Sequence, residues 1–139
     1  MAMIDPRSLI PLDKHDHARA EAAIAAGYPI VEPILPELLE WLQDLNWPVA
    51  QQLAPFITSI GTPLIPHIRK IFETDDEMWK YWMMNVILRK SPDVAAAFRD
   101  DLVRIAYEPT ENEADHELDE TALRVLKDYG WEQPATSRV

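Results

Sequence analysis

The chain contains no cysteine, which removes disulfides, thiolate metal sites and a cysteine nucleophile together. Glycine is nearly absent as well: 139 residues hold only Gly27, Gly61 and Gly130. A phosphate cradle or dinucleotide fingerprint needs several glycines close together, so neither is available. The catalytic patterns G-x-S-x-G and H-E-x-x-H are also missing. No apolar run approaches the ~18 residues that a membrane span requires. The opening stretch MAMIDPRSLIPLDKHD lacks the basic and then apolar regions of a secretory signal. Positive charge is scarce, with 13 basic against 24 acidic side chains and a net charge of −11. Nucleic-acid binding draws much of its affinity from neutralised phosphates, so this balance argues against DNA or RNA as a partner. These absences lead to the expectation of a cytoplasmic, non-enzymatic protein with no cofactor and no membrane contact.

What is present has a helical rhythm. Each glycine follows a helical pattern and stands where a left-handed C-cap residue belongs. Tyr28 and Trp131 follow two of them, at the position where an apolar side chain packs back on the last turn. Thr62-Pro63 and Ser91-Pro92 place a capping residue before a first-turn proline, and Thr74 with Glu77 reads as a capping box. Pro55 lies inside one helical pattern and should bend it. No stretch alternates apolar and polar residues as a strand would. The pattern predicts an all-α fold.

An internal repeat organises the helices. PILPELLEWLQ at 33–43 aligns with PLIPHIRKIFE at 63–73, an offset of 30. Val49, Leu53 and Ile57 then align with Trp79, Met83 and Ile87. A looser third copy runs through Val94, Phe98, Leu102 and Ile105, then Leu118, Ala122, Val125, Leu126 and Tyr129, with EPTENEAD as an acidic loop between. Repeating helix pairs at this period predict a short α-α superhelix, a HEAT-like solenoid of about three helical hairpins. The helix EMWKYWMMNVILRK is apolar nearly all round, as a buried middle element should be. The expected layout is one domain over 1–139. It comprises an extended arm at 1–12, an N-terminal capping helix at 13–30, repeats at 31–61, 62–90 and 91–130, and a mobile tail at 131–139.

Three motifs, LDKHD, LLEWLQDLNWPVAQQLAPF and TDDEMWKYW, together resemble a bacterial domain family of unknown function with a HEAT-repeat-like fold. The resemblance covers about residues 9 to 128. It implies an α-α superhelix of short repeats and no particular reaction.

Candidate site residues fall mostly in the turns inside the repeats. Asp44, Asn46, Asp75, Asp76 and Glu77 would line one edge of a solenoid, continued by Asp115 and Glu117. Helix capping accounts for about half of them, and the remainder could attract a cationic partner. Trp47 precedes Pro48, which biases it away from α geometry and projects its ring from the turn. It serves either as a plug between repeats or as an aromatic anchor for a partner. Trp41, Trp79 and Trp82 sit at helical spacing and read first as core. Lys80, in WKYW, is expected to snorkel to the surface. His15, Asp16 and His17 are weak metal candidates, because two histidines two apart on a helix point to different sides. The expected function is a non-enzymatic protein-interaction module, in its specific form a neutralising or regulatory protein that binds a basic protein through an acidic edge. The partner-binding candidates are Asp44, Asn46, Trp47, Asp75, Asp76, Trp79 and Lys80. The alternative is a HEAT-like enzyme or nucleic-acid-acting protein, using Trp47, Trp79 or Trp82 with Asp44 or Asp76 in an aromatic and acidic groove.

Overall fold

The structure is a computed structural model and describes residues 4–132. Every element among them is helical. Helix α1 (His17–Ala26) begins where the Asp16 side chain accepts the Arg19 N–H, and it ends at Gly27 with φ 73°. A 3-10 turn at Glu32–Ile34 leads into α2 (Leu35–Glu40), and another at Trp41–Gln43 follows it. Helix α3 (Pro48–Ile60) starts on its proline, as the extended conformation of Trp47 (φ −70°, ψ 133°) requires. It carries Pro55 on its solvent side. A 3-10 turn at Thr62–Leu64 then leads into α4 (Ile65–Phe72). Both 3-10 entrances and the helices behind them recur at the 30-residue offset of the sequence repeat, Glu32 against Thr62 and Leu35 against Ile65.

Helix α5 (Glu77–Trp82) continues without a break into a π-helical segment, Met83–Leu88. The chain finishes with α6 (Pro92–Ala97), α7 (Arg99–Tyr107), α8 (Glu111–Asp115) and α9 (Leu118–Tyr129). One apolar core joins all of these, from Leu9 to Leu126. Helix α1 lies on α3, α7 packs along α9, and the π segment touches α3, α6 and α9. Met83, Met84, Ile87 and Leu88 are wholly buried there. Met78, expected beside them, is instead 46% exposed.

Several local expectations need correction. The arm is not simply extended: Asp5 caps a 3-10 turn at Pro6–Leu9 that buries Leu9, while Arg19 Nη1 donates to the Ile10 carbonyl. The capping helix is shorter than 13–30, because Asp13 closes a turn by accepting the His15 N–H. Thr74 and Glu77 form no capping box. Asp76 is the cap, Glu77 is the first helical residue, and the Thr74 hydroxyl donates back to the Ile71 carbonyl. Neither Thr62 nor Ser91 makes a capping hydrogen bond through its side chain. Tyr28 does not pack back on α1; it is 43% exposed and donates its hydroxyl to Glu32. Trp131 does pack back, with its N–H on the Leu126 carbonyl and its ring 4.7 Å from that of Tyr129. The first helix of the third repeat breaks at Phe98, whose φ of −111° separates α6 from α7. Residues 1–3 of the expected arm and 133–139 of the expected tail lie outside the described residues.

The acidic stretch EPTENEAD is also more than a loop. Thr110 and Glu113 form a reciprocal capping box that starts α8. Arg104 of α7 grips both Glu113 oxygens, at 3.0 and 2.5 Å, and Glu113 is only 4% exposed. Burial pushes the Glu113 carboxyl upward, but the hydrogen bonds from Arg104 and Thr110 outweigh it and hold the group below its ordinary value. A carboxylate whose folded pKa is depressed stabilises above its unfolded value and loses that contribution as pH falls through the folded one. Glu113→Ala should therefore cost about 1–3 kcal/mol near neutral pH. In urea titrations the gap between wild type and variant should close as the solution is acidified below the ordinary carboxylate range. A pH-independent gap would show that the carboxylate charge is not what matters.

Candidate interaction site

The turn after α2 is built on one aspartate. Asp44 accepts the Asn46 N–H on its side chain at 2.8 Å and the Trp47 N–H on its carbonyl at 3.1 Å. This fixes Trp47 in an extended conformation and throws its ring back onto Trp41, edge to face, with centroids 5.5 Å apart. Both indoles are half-buried and lean on the core. Together with Ile10, Pro11, Glu37, Glu40 and Gln43 they line an open hollow of about 340 Å³. Trp47 is thus packed within its own chain and still reachable from outside.

The second turn is built in the same way. Asp76 accepts the Trp79 N–H at 3.0 Å, while Asp75 stays exposed. The Trp79 indole N–H donates to the Leu39 carbonyl at 3.1 Å, so this ring ties α5 to α2. Its remaining surface lines a second hollow of about 200 Å³ with Pro36, Leu39, Glu40, His67, Lys70, Ile71 and Thr74. Trp47 and Trp79 therefore do not converge on one point. They face neighbouring hollows that share one residue, Glu40. Glu40 is exposed and has no ion pair or hydrogen bond among the described residues.

Lys80 is a correction. It is 7% exposed rather than snorkelled, and its Nζ lies 2.8 Å from Glu77 Oε1 on the buried side of α5. One helical turn separates the two residues, so each supplies the counter-charge that lets the other leave water. Neither is placed to meet a partner. The acidic row thins for related reasons. Asp44 and Asp76 are spent on backbone N–H groups, whereas Asp115 and Glu117 stay exposed. Asn46 and Asp75 remain exposed.

The DKHDH stretch is occupied by folding duties. Asp16 accepts the Leu12 N–H at 2.9 Å and the Arg19 N–H at 3.2 Å, and the Leu12 bond is the main cause that lowers its carboxyl pKa. His17 Nδ1 lies 2.6 Å from Gln52 Oε1 of α3, and the Lys14 carbonyl accepts the Val49 N–H. His15 is exposed. Among the described residues no group of three or more potential ligands is gathered for a metal ion.

Sequence reasoning missed Glu37, Glu40 and Trp41 as site residues. Their signal was the i, i+3, i+4 spacing that puts them on one face of α2 and the 3-10 turn after it, opposite buried Leu35, Leu38, Leu39 and Leu42.

Fold and site together define an all-α domain whose most distinctive surface is a pair of aromatic hollows around an unpaired acid. Residues 9–126 match the family model of a domain of unknown function, DUF5071, and the chain belongs to that family. No curated protein matches it. No helix among the described residues is long and apolar enough to cross a membrane.

The buried pair at Glu77 and Lys80 gives a direct test of this geometry. Lys80→Met alone strands a buried carboxylate and should cost about 3–5 kcal/mol. Adding Glu77→Leu should recover most of that loss, because an apolar replacement of both partners removes the stranded charge. Urea unfolding of the two variants checks this. Equal losses in single and double variants would mean that the pair matters through shape alone.

Proposed function

We propose that the domain is a non-enzymatic protein-interaction module, a short HEAT-like α-α superhelix of about three hairpins that binds a basic protein, acting in the cytoplasm as a neutralising or regulatory protein. The superhelical reading is supported by the 30-residue recurrence of the 3-10 entrances and by α1 lying over α3 as a terminal cap would. A π segment in the middle of the chain with four of its six side chains buried fits a central repeat.

One observation carries the functional reading: unpaired, exposed Glu40 lies between two hollows walled by half-buried tryptophans. Aromatic groups that are rigid before binding lose little freedom on contact, and tryptophan is enriched among residues that dominate interfaces. A net charge of −11 favours a cationic partner through long-range attraction. Glu37 and Glu40 on α2 add carboxylates beside the tryptophans to the exposed acids of the repeat turns, Asp75, Asp115 and Glu117.

The test is affinity capture from cell extract at moderate salt, read by mass spectrometry, with wild type beside a folded Trp47→Ala, Glu40→Lys variant. The expected result is a basic protein retained by the wild type and lost by the variant, with retention falling as salt rises. Capture of the same proteins by both chains would overturn the proposal.

A further inference from the structure

We propose that the hollow between Trp41 and Trp47 is an arginine pocket, and that the partner lays an adjacent apolar side chain into the hollow at Trp79. This deepens the interaction reading above and rests on it. The argument begins with the difference between the two linings. The Trp41–Trp47 hollow carries two carboxylates, Glu37 and Glu40, and no cationic residue. The Trp79 hollow sets His67 and Lys70 against the shared Glu40 and adds apolar lining from Pro36, Leu39 and Ile71. A partner cation is favoured in the first and disfavoured in the second, and an apolar group the reverse.

Glu37 sharpens the choice. Its Oε1 is buried and has no hydrogen-bond partner, and an unsatisfied buried acceptor is costly to leave. Its Oε2 has only a loose contact with Arg7 Nη2, at 3.6 Å, and the Arg7 side chain is 67% exposed. Because Oε1 itself is shut off from solvent, an incoming donor would be met by the exposed part of the Glu37 carboxylate and by exposed Glu40. A guanidinium suits the hollow better than an ammonium. It can donate two parallel hydrogen bonds to one carboxylate, and its plane can lie on an indole face. Trp41 and Trp47 both line the hollow, so the aromatic surface and the carboxylates are within one enclosure. Arg7 is already a guanidinium beside Glu37, contributed by the arm, and it competes with any incoming one.

The experiment uses the full chain with uniform nitrogen-15 labelling and short synthetic peptides that carry one arginine flanked by leucines. Control peptides replace the arginine by citrulline, which keeps the shape and removes the charge, or by lysine. Binding is read from the indole N–H signals of Trp41, Trp47 and Trp79. The arginine peptide should shift Trp41 and Trp47, and its leucines should shift Trp79. Citrulline should weaken binding about tenfold or more, as loss of a charged hydrogen bond does, and lysine should rank between the two. Arg7→Ala removes only an exposed side chain and should tighten arginine binding about two- to fivefold, the range of a surface ion pair. Equal binding of arginine and citrulline peptides, shifts confined to Trp79, or no binding by any peptide would each overturn the pocket. A partner captured through Trp47 and Glu40 despite such a result would sink the arginine assignment alone, whereas the failure of capture sinks the interaction reading itself.

Discussion

Residues 77–88 form one continuous helical run that must be kept from water along most of its length. Met83, Met84, Ile87 and Leu88 are wholly buried, and each such side chain is worth about 1.5–3 kcal/mol when removed from water. That gain is available only if other elements cover the run on several sides, and α3, α6 and α9 do so. The wide π spacing, seen where Arg89 N–H reaches the Met84 carbonyl at 3.0 Å, changes the pairing of the backbone carbonyls. Side chains from the covering helices bond two of these: Thr58 of α3 donates to the Val86 carbonyl and Tyr129 of α9 to that of Leu88. Arg89 and Asp128 add an ion pair at the same junction. Burial and polar satisfaction therefore act on the same helices.

The candidate site follows from this packing. With α5 fixed in the interior, Trp79 reaches α2 and donates its indole N–H to Leu39. The bond holds α2 with its leucines inward, which leaves Glu37, Glu40 and Trp41 on the outer face. Pro48 then decides the position of Trp47, since the residue before a proline is driven out of the α region. Its ring settles on Trp41. Each tryptophan is part of the core and part of the surface, so the features that stabilise the fold also hold the proposed contact surface in place.

Much of this was legible in the sequence where the signal is local. The three glycines end helices with positive φ, although only Gly130 takes the left-handed α conformation and Gly27 and Gly61 have ψ of −176° and −136°; Pro48 starts α3, and the 30-residue repeat reappears in the 3-10 entrances. Lys80 was misread because its chemistry depends on height, not on neighbours in the chain. A lysine in an apolar run snorkels if solvent lies within the reach of its stem, and on the covered side of α5 only Glu77 does. The break at Phe98 was also hidden, because buried Val94, Ala95, Phe98, Leu102 and Ile105 keep helical spacing across it. The α8 capping box was different: Thr110 and Glu113 have the right spacing, and the acidity of the stretch obscured it. Nothing in the sequence pattern singles out Glu37 and Glu40, and only their place beside the tryptophans distinguishes them.

The acidity of the chain acts at two ranges, and the structure separates them. Many of its acids already have work inside the protein. Asp16 and Asp76 cap helices, Asp101 meets Arg69 at 2.6 Å, Asp128 meets Arg89, and Glu113 is held by Arg104. These still contribute to the long-range field, which steers a cation during approach and weakens as salt is added. They cannot give it a place to bind without losing the internal bonds they make. Glu40 has no such bonds to lose, and Glu37 holds Arg7 only loosely. Under the proposed function, net charge sets how fast a basic partner arrives, while these two carboxylates and their flanking indoles decide where it stays. Surface acids elsewhere can then vary with little effect on which partner is chosen, whereas reversing Glu40 places like charge at the centre of the contact.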